Sequence, residues 1–203
     1  MLDLYTWPTP NGKKVPILLA ELDWAYEMHL VNLGRHEQKR LEYLAINPNG
    51  KIPALVDTEG TGGGLVTVFE SGAILQYLAE KSGSFLPTEQ PARAEVLSWV
   101  FWQVGGPGPF FGQFLSFARR EPKNEGAIEK FRAESKRLAM VLDHRLGDRE
   151  WVAGAYSIAD MMNYPWFAAL DEHAPGTLDG AEAVKRWMGR MAARPAVQKG
   201  MAI

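Results

Sequence analysis

The hydrophobic pattern changes once along the chain, and this change limits the folds that the chain can adopt. Residues 1–84 alternate short strand-like runs with helical patterns, in the order β-α-β-α-β-β-α. From Pro91 onward strand patterns are absent, and apolar residues recur at helical spacing. The pattern therefore predicts an α/β domain over residues 1–84, a linker at residues 84–91 and an all-helical domain over residues 92–203.

Turn and cap residues mark the elements of the α/β half. Ser71 is a preferred N-cap residue and Gly83 suits the position after a helix, so we expect a helix over residues 71–83. Pro16 falls within an earlier helical pattern, where it is tolerated only in the first turn. The other expected elements are strands at residues 2–6, 26–33, 52–57 and 65–69, a helix at 36–46, and a turn with a flexible tip at 57–64.

The second half is expected to consist of helices alone. The segment GGPGP at residues 105–109 separates the first helix from the second. Ser157 and Asp160 have the spacing of a capping box and mark the start of a later helix. The expected helices cover residues 92–104, 110–120, 124–146, 157–170 and 181–193.

Composition excludes several classes of function. The chain has no cysteine, which rules out disulfides, thiolate metal sites and a cysteine nucleophile. Its four histidines show no metal-ligand spacing, so no metal is expected. A net charge of -2 gives no reason to expect a nucleic acid or an anionic membrane as partner. No apolar run approaches the ~20 residues of a membrane span and no signal peptide is evident, so a cytoplasmic location is expected.

The segment NPNGKIPALVD, residues 47–57, places a proline near the start of a strand-like run. Pro53 cannot donate a main-chain hydrogen bond, and it favours an extended conformation at Ile52. The motif alone leaves two interpretations open. Either this is an edge strand with an incidental proline, or the main chain of Ile52 is left to pair with a separate molecule.

Three motifs together resemble the glutathione transferase superfamily: NPNGKIPALVD at 47–57, FESGAILQYLAEKSG at 69–83 and SIAD at 157–160. The resemblance covers essentially the whole chain. PTPNG at 8–12 and FWQVGGPGP at 101–109 are most similar to the bacterial nu-class branch, whose members act on disulfides. The resemblance implies a thioredoxin-like N-terminal domain, a helical C-terminal domain, a homodimer, and glutathione as co-substrate.

In this family the proline that matches Pro53 follows a cis peptide bond, and the resemblance implies the same for Ile52–Pro53. Glutathione would then add its cysteinyl unit to the main chain of Ile52 as a short extra strand. Gln38 and Lys51 would meet the glycine carboxylate of this ligand. A solvated helix face explains Gln38 equally well.

Glu70 and Ser71 bring a negative charge next to a positive helix end. The first N–H groups of a helix attract anions, and Ser71 would cap such a helix. The pair suits the head group of an amino acid, with its carboxylate at Ser71 and its ammonium at Glu70. In the family this position holds the γ-glutamyl end of glutathione. A plain capped helix with a neighbouring acid is the alternative.

Thr9 and Asn11 are the polar residues of the turn that carries a CxxC motif in related redox proteins. In the nu-like branch the matching residues face the glutathione sulfur, which implies that Thr9 and Asn11 are catalytic. A thiol with a pKa of ~8.5 is mostly protonated at neutral pH, and donors that favour the anion lower that pKa. The alternative is a turn in which both side chains only cap the helix. Tyr5 lies inside the first strand and is expected to be a packing residue.

A second substrate is expected between the two halves, beside the aromatic and glycine-rich segment at residues 98–114. Trp99 and Gln103 are candidate contacts in this segment, and Lys130 or Arg132 could reach a ligand carboxylate. Taken one at a time, each has a simpler interpretation. Trp99 suits a core or dimer contact, and Lys130 and Arg132 suit a solvated helix face.

The favoured function is a glutathione-dependent enzyme that stabilises the glutathione thiolate and directs it at a disulfide or an electrophile. Since the chain has no cysteine, both exchanging sulfurs would come from glutathione and substrate. A transferase that mainly conjugates carbon electrophiles and a non-catalytic glutathione-binding scaffold are the alternatives. Composition excludes a cysteine-dependent glutaredoxin.

Overall fold

A computed structural model describes residues 1–203 and divides them into two compact units. One unit comprises residues 1–86 and 194–203, and the other comprises residues 87–193. The predicted linker falls at this division, whereas residues 194–203 belong with the first unit although the sequence pattern groups them with the second half. None of the helices is long and apolar enough to span a lipid bilayer.

The first unit is built on a four-stranded sheet with the strand order β2-β1-β3-β4. The strands are β1 (Leu2–Thr6), β2 (Glu27–Leu30), β3 (Ala54–Gly60) and β4 (Gly64–Phe69). β1 pairs in parallel with β2, and β3 is antiparallel to both β1 and β4. The helices are α1 (Pro10–Glu21), α2 (Leu41–Ile46) and α3 (Ser71–Ser82), with short 3-10 turns at Leu33–Arg35 and Glu37–Lys39.

The core of this unit follows the strand and helix periodicities. Alternate residues of β1 are buried, and α1 and α3 pack against each other. On the remaining face, a smaller cluster forms around Tyr43 and includes Tyr5, as expected for a packing residue. The fully buried apolar side chains of the larger core include Leu4, Val15, Ile17, Leu18, Leu19, Leu55, Ile74, Leu75 and Leu78.

The strand register brings three chain segments to one end of the sheet. Tyr5 of β1 lies opposite Ala54 of β3, and Ala54 lies opposite Phe69 of β4. Because β3 runs antiparallel to both neighbours, its first residue lies beside the last residues of β1 and β4. The segments that follow β1, precede β3 and follow β4 therefore meet at this end.

Two element assignments made from the sequence are wrong in this unit. The helix expected over residues 36–46 is instead a pair of 3-10 turns followed by α2, because His36 has a left-handed backbone (φ 56°) that an α-helix cannot contain. Strand β3 continues to Gly60, so much of the turn expected at residues 57–64 is strand and the reversal is confined to residues 61–63.

Pro16 lies inside α1 rather than in its first turn, contrary to the expectation from the sequence. A proline at this position has no N–H to give to the carbonyl of Gly12, four residues earlier. The buried hydroxyl of Thr6 replaces that donor, with its Oγ1 2.9 Å from the Gly12 oxygen. The last residue of β1 thus makes the internal proline tolerable.

Replacing Thr6 by valine is expected to lower the free energy of unfolding by about 1–3 kcal/mol, because the Gly12 carbonyl then has no donor in a buried place. Urea unfolding of the variant and the wild type measures the difference. Thr67 is exposed on β4, and Thr67→Val is the control, with an expected change below ~0.5 kcal/mol. Equal effects at the two threonines would contradict this role of Thr6.

The second unit consists of five helices: α4 (Ala92–Gly105), α5 (Pro107–Arg119), α6 (Glu125–Arg145), α7 (Ile158–His173) and α8 (Glu182–Ala192). Gly106 separates α4 from α5, so α5 begins at Pro107 rather than at residue 110 as expected. Ser157 caps α7 and forms the expected capping box with Asp160. This box stabilises the start of the most deeply buried helix of the unit.

A further helix, α9 (Pro195–Met201), follows the last helix expected from the sequence and belongs to the first unit. Gly200 lets it approach α1 closely, since a Cβ at this position would lie 2.5 Å from the main-chain nitrogen of Ile17. The Arg194 guanidinium donates two hydrogen bonds to the Glu21 carboxylate, from Nε at 2.7 Å and from Nη2 at 2.9 Å. These contacts hold the C-terminus against α1.

Candidate functional site

The turn after β1 forms the first part of a polar site at the shared end of the sheet. Thr9 is the N-cap of α1, and its Oγ1 accepts a hydrogen bond from the Gly12 N–H at 3.2 Å. Only glycine fits at residue 12, because an added Cβ would overlap the Trp7 carbonyl oxygen. Thr9 therefore caps α1, and its hydroxyl hydrogen is still able to donate to a ligand.

Asn11 is held by a lysine of the same helix. The Oδ1 of Asn11 accepts a hydrogen bond from Lys14 Nζ at 2.9 Å, and the same ammonium lies 3.3 Å from Ser71 Oγ. Lys14 is only 1% exposed. Its burial holds the pKa of the ammonium well below the usual value, and the nearby Glu70 carboxylate partly opposes that effect. Lys14 thus connects the turn after β1 to the segment after β4.

The segment after β4 differs from the expectation in one respect. Ser71 is the first residue of α3 and not its N-cap, because Glu70 occupies the cap position with φ 73° and ψ 119°. A positive φ is strained for a residue with a side chain, and such strain is concentrated at functional sites. The Glu70 side chain makes no capping hydrogen bond. The first N–H groups of α3 therefore keep their attraction for an anion.

The segment before β3 supplies main-chain groups to the same end of the sheet. The Ile52–Pro53 peptide bond is cis, as the resemblance implied. Strand β3 begins only at Ala54, and the N–H and C=O of Ile52 form no hydrogen bond with the rest of the chain. These two groups can pair with an extended peptide.

Lys51 and Gln38 lie on neighbouring loops. The carbonyl of Lys51 accepts hydrogen bonds from the Tyr43 hydroxyl at 2.6 Å and from Asn47 Nδ2 at 2.7 Å, while its side chain is exposed. The 3-10 turn that contains Gln38 packs closely against the loop that contains Lys51. A Cβ added at Gly50 of this loop would lie only 2.9 Å from the Gln38 carbonyl oxygen. The Oε1 of Gln38 is buried without a hydrogen-bond partner. Gln38 is therefore not a simple solvated residue.

The groups of the site attract anions, and none of them is an evident general base. Two helix N-termini, those of α1 and α3, open at the same end of the sheet, and Lys14 lies between them. Tyr5 stays protonated at neutral pH and supplies no base, because burial and the carboxylates of Asp3 and Glu27 raise the pKa of its phenol. The arrangement can hold a carboxylate or a thiolate, with Glu70 available for a cation.

The candidate residues of the second unit lie on helices α4 and α6. Trp99 is half-buried, with the Arg145 guanidinium 5.6 Å from the centre of its ring. Gln103 is buried, with 1% of its surface exposed, and Lys130 is exposed on α6. Trp99 and Gln103 lie one turn apart on α4, whereas Lys130 lies on α6. Their contacts with a ligand stay a prediction.

Arg132 lines a cavity of about 410 Å³ in the second unit. Lys136 and His173 line the same cavity, which also includes the loop after α7. The Arg132 guanidinium lies 3.6 Å from the Glu129 carboxylate and 5.6 Å from the centre of the Phe114 ring. An exposed ion pair of this kind is weak, so Arg132 remains able to bind an anion.

Asp3, Glu27 and His29 also come close together, at the β1–β2 pair, with ligand atoms within 4.8 Å of one another. The His29 Nε2 lies 2.8 Å from Asp3 Oδ1, and Tyr5 stacks on the imidazole at 4.5 Å. Hydrogen bonding and stacking account for this arrangement. It gives no reason to revise the expectation that no metal takes part.

Lys14 is the one central residue of the site that sequence reasoning missed. The sequence does contain a signal for it, since Lys14 precedes the buried run of α1 from Val15 to Leu19. A lysine on the buried face of a helix needs hydrogen-bond partners. The partners, however, come from another helix and could not be found from local spacing.

Residues 1–80 match the family described as glutathione S-transferase, N-terminal domain, and residues 109–195 match glutathione S-transferase, C-terminal domain. The chain is 45% identical to the disulfide-bond oxidoreductase YfcG of Escherichia coli (strain K12), over 99% of this chain and 94% of that protein.

Two solved structures share the fold of the whole chain. A glutathione transferase family member from Pseudomonas fluorescens pf-5, with two glutathione bound, has a TM-score of 0.95 at 44% identity, covering 98% of this chain and 92% of that one. A glutathione transferase from Pseudomonas putida, with one glutathione disulfide bound per protein subunit, has a TM-score of 0.94 at 43% identity, covering 100% and 91%. The chain therefore belongs to the glutathione S-transferase family.

Proposed function

We propose that this protein is a glutathione-dependent disulfide-bond oxidoreductase that binds glutathione at the shared end of its sheet. One observation carries the proposal. A polar turn, the unpaired main chain of Ile52 and an uncapped helix N-terminus converge where β1 and β4 end and β3 begins. Each of these groups suits a different part of a γ-glutamyl tripeptide. The similarity to YfcG and to the glutathione-bound neighbours supports the same choice of ligand.

The ligand would lie along the sheet end in an extended form. Its cysteinyl unit pairs with the main chain of Ile52, next to Pro53. Its γ-glutamyl carboxylate binds Ser71 and the first N–H groups of α3, and its ammonium binds Glu70. Gln38 and Lys51 bind the glycine carboxylate. The strained backbone of Glu70 supports this assignment, because it holds an acidic side chain beside a helix end that favours anions.

Thr9 and Asn11 would stabilise the thiolate of the bound glutathione. The thiolate attacks one sulfur of a disulfide, forms a mixed disulfide and releases the other sulfur as a thiolate, which takes up a proton. A second glutathione thiolate then attacks the glutathione sulfur of the mixed disulfide and releases the remaining substrate thiol. Two glutathione molecules are oxidised to one glutathione disulfide, and the chain supplies no sulfur. Within the second unit, Arg132 and its cavity would bind a ligand carboxylate.

We also propose a homodimer in the cytoplasm. Phe101 and Val104 of α4 are 63% and 45% exposed, and Leu65 of β4 is 68% exposed, which leaves apolar surface for a partner subunit. A reaction that consumes reduced glutathione needs a reducing compartment, and the cytosol provides one. Light scattering of the purified chain tests the dimer.

Turnover measurements test the proposed reaction. Purified protein with glutathione is assayed against hydroxyethyl disulfide and against the aryl halide 1-chloro-2,4-dinitrobenzene. The proposal predicts a clearly larger kcat/KM for the disulfide. A fast aryl halide reaction beside negligible disulfide reduction would favour the conjugating transferase instead. No activity with either substrate, together with retention on immobilised glutathione, would favour a glutathione-binding scaffold, and no retention would exclude glutathione as the ligand.

Glu70→Gln is expected to weaken glutathione binding about tenfold, because a charge-assisted bond to the ligand ammonium becomes a neutral one. Isothermal titration calorimetry with S-methylglutathione measures this without interference from the thiol. Glu42 is exposed on α2, so Glu42→Gln is the control and should bind like the wild type. If Glu70→Gln binds as tightly as the control variant, Glu70 does not bind the ammonium.

A further inference from the structure

Lys14 is a charged side chain in a place where a charge is costly. It is 1% exposed and precedes the apolar residues of α1 that form the core. Transferring an ammonium from water to such a place is unfavourable. Burial lowers its pKa, and only the Glu70 carboxylate is a significant opposing charge. An apolar residue would fill the same space at lower cost, so the ammonium itself calls for an explanation.

The hydrogen-bond chemistry of Lys14 fixes the orientation of its two partners. Lys14 Nζ is the donor in both of its hydrogen bonds, so Asn11 turns its Oδ1 toward Lys14 and Ser71 offers a lone pair of its Oγ. The amide N–H groups of Asn11 then lie at the other end of its side chain. The hydroxyl hydrogen of Ser71 likewise points to an acceptor other than Lys14. Both side chains become oriented donors.

We propose that Lys14 is a positioning residue that orients Asn11 as a donor to the ligand sulfur and Ser71 as a donor to the ligand carboxylate. This inference rests on the proposed function, since it takes glutathione as the ligand. One buried ammonium then organises both ends of the site, at the turn before α1 and at the start of α3. Lys14 touches neither the sulfur nor the carboxylate and acts through the two side chains.

A purely structural role for Lys14 predicts different behaviour. If Lys14 only joined α1 to α3, Lys14→Met would lower the melting temperature and leave the bound ligand unaffected. Positioning predicts an effect on the bound ligand, whatever happens to the melting temperature, because Asn11 and Ser71 lose the donor that orients them. The pKa of the bound glutathione thiol, followed by thiolate ultraviolet absorbance, should rise by about one unit, a tenfold change.

Two double-mutant cycles show whether Lys14 acts through its partners. The first combines Lys14→Met with Asn11→Ala and measures the pKa of the bound thiol. The second combines Lys14→Met with Ser71→Ala and measures the affinity for S-methylglutathione, which has no ionisable thiol. In each cycle the double variant should be no worse than the worse single variant. Fully additive effects in both cycles would overturn the proposal.

Two further variants complete the test. Lys13→Met removes the neighbouring lysine and should leave both measurements unchanged. Lys14→Gln keeps a neutral donor and should fall between the wild type and Lys14→Met. If Lys14→Met does not fold, Lys14→Gln takes its place in both cycles with the same expectation. Wild-type binding with unaffected Lys14 variants would overturn this inference alone, whereas a wild type that does not bind glutathione would overturn the proposed function.

Discussion

Replacing Thr9 by valine and Asn11 by alanine together is expected to lower kcat/KM for glutathione-dependent disulfide reduction roughly 10²–10³-fold. The two side chains are the polar groups of the turn that opens α1, and Asn11 is held in place by Lys14. Without their donors the thiolate keeps only the helix N-terminus, so its pKa rises toward the ~8.5 of a free thiol. Steady-state kinetics with hydroxyethyl disulfide at several pH values measures both the loss and the shift.

The matched control preserves the helix cap. Thr9 accepts a hydrogen bond from Gly12, so Thr9→Val also weakens α1 by about 0.5–2 kcal/mol. Thr9→Ser keeps the hydroxyl and should retain activity within a few-fold of the wild type. Assays are made well below the melting temperature of each variant, so that loss of fold does not imitate loss of catalysis. If the double variant keeps wild-type kcat/KM, Thr9 and Asn11 only cap the helix.

Replacing Asp160 by alanine is expected to lower the free energy of unfolding by about 4 kcal/mol. The carboxylate accepts hydrogen bonds from the N–H groups of Val152 and Ser157 and from the indole of Trp187, at 2.9 to 3.1 Å. Burial raises the pKa of Asp160 to about 6, and these donors oppose that rise. Its removal leaves three buried donors without an acceptor, and each costs about 1–3 kcal/mol. Denaturant unfolding measures the loss.

Asp171 provides the comparison for Asp160, because it is an aspartate of the same helix α7 but exposed. Asp171→Ala should change the free energy of unfolding by less than ~0.5 kcal/mol. An Asp160→Ala variant as stable as Asp171→Ala would show that the capping box does not stabilise the second unit.

Motifs and periodicity predicted much of this fold, and the fold class is confirmed by the matching family and by the solved neighbours. The β-α-β-α-β-β-α order is observed, as are the Ser157–Asp160 capping box and the αL conformation of Gly83 after α3. These features are local, because each depends on residues within a few positions of one another. Local signals of this kind can be read from one sequence.

The errors arose where distant residues decide the outcome. Pro16 is accepted inside α1 because Thr6, from β1, gives its hydroxyl to Gly12. The final helix α9 depends on Gly200 fitting against α1, a contact between opposite ends of the chain. Ser71 was expected as an N-cap, but its oxygen accepts from Lys14. None of these pairings has a signature in local spacing, so sequence reasoning could not find them.

The binding of glutathione to the wild-type protein tests the central claim most directly. The wild-type protein is titrated with reduced glutathione and with glutathione disulfide by isothermal titration calorimetry. Both titrations are repeated with the Glu70→Gln variant. The account predicts saturable heat with both ligands and a clearly weaker affinity in the variant. No heat with either ligand at millimolar concentrations, from protein that is folded by circular dichroism, would contradict it.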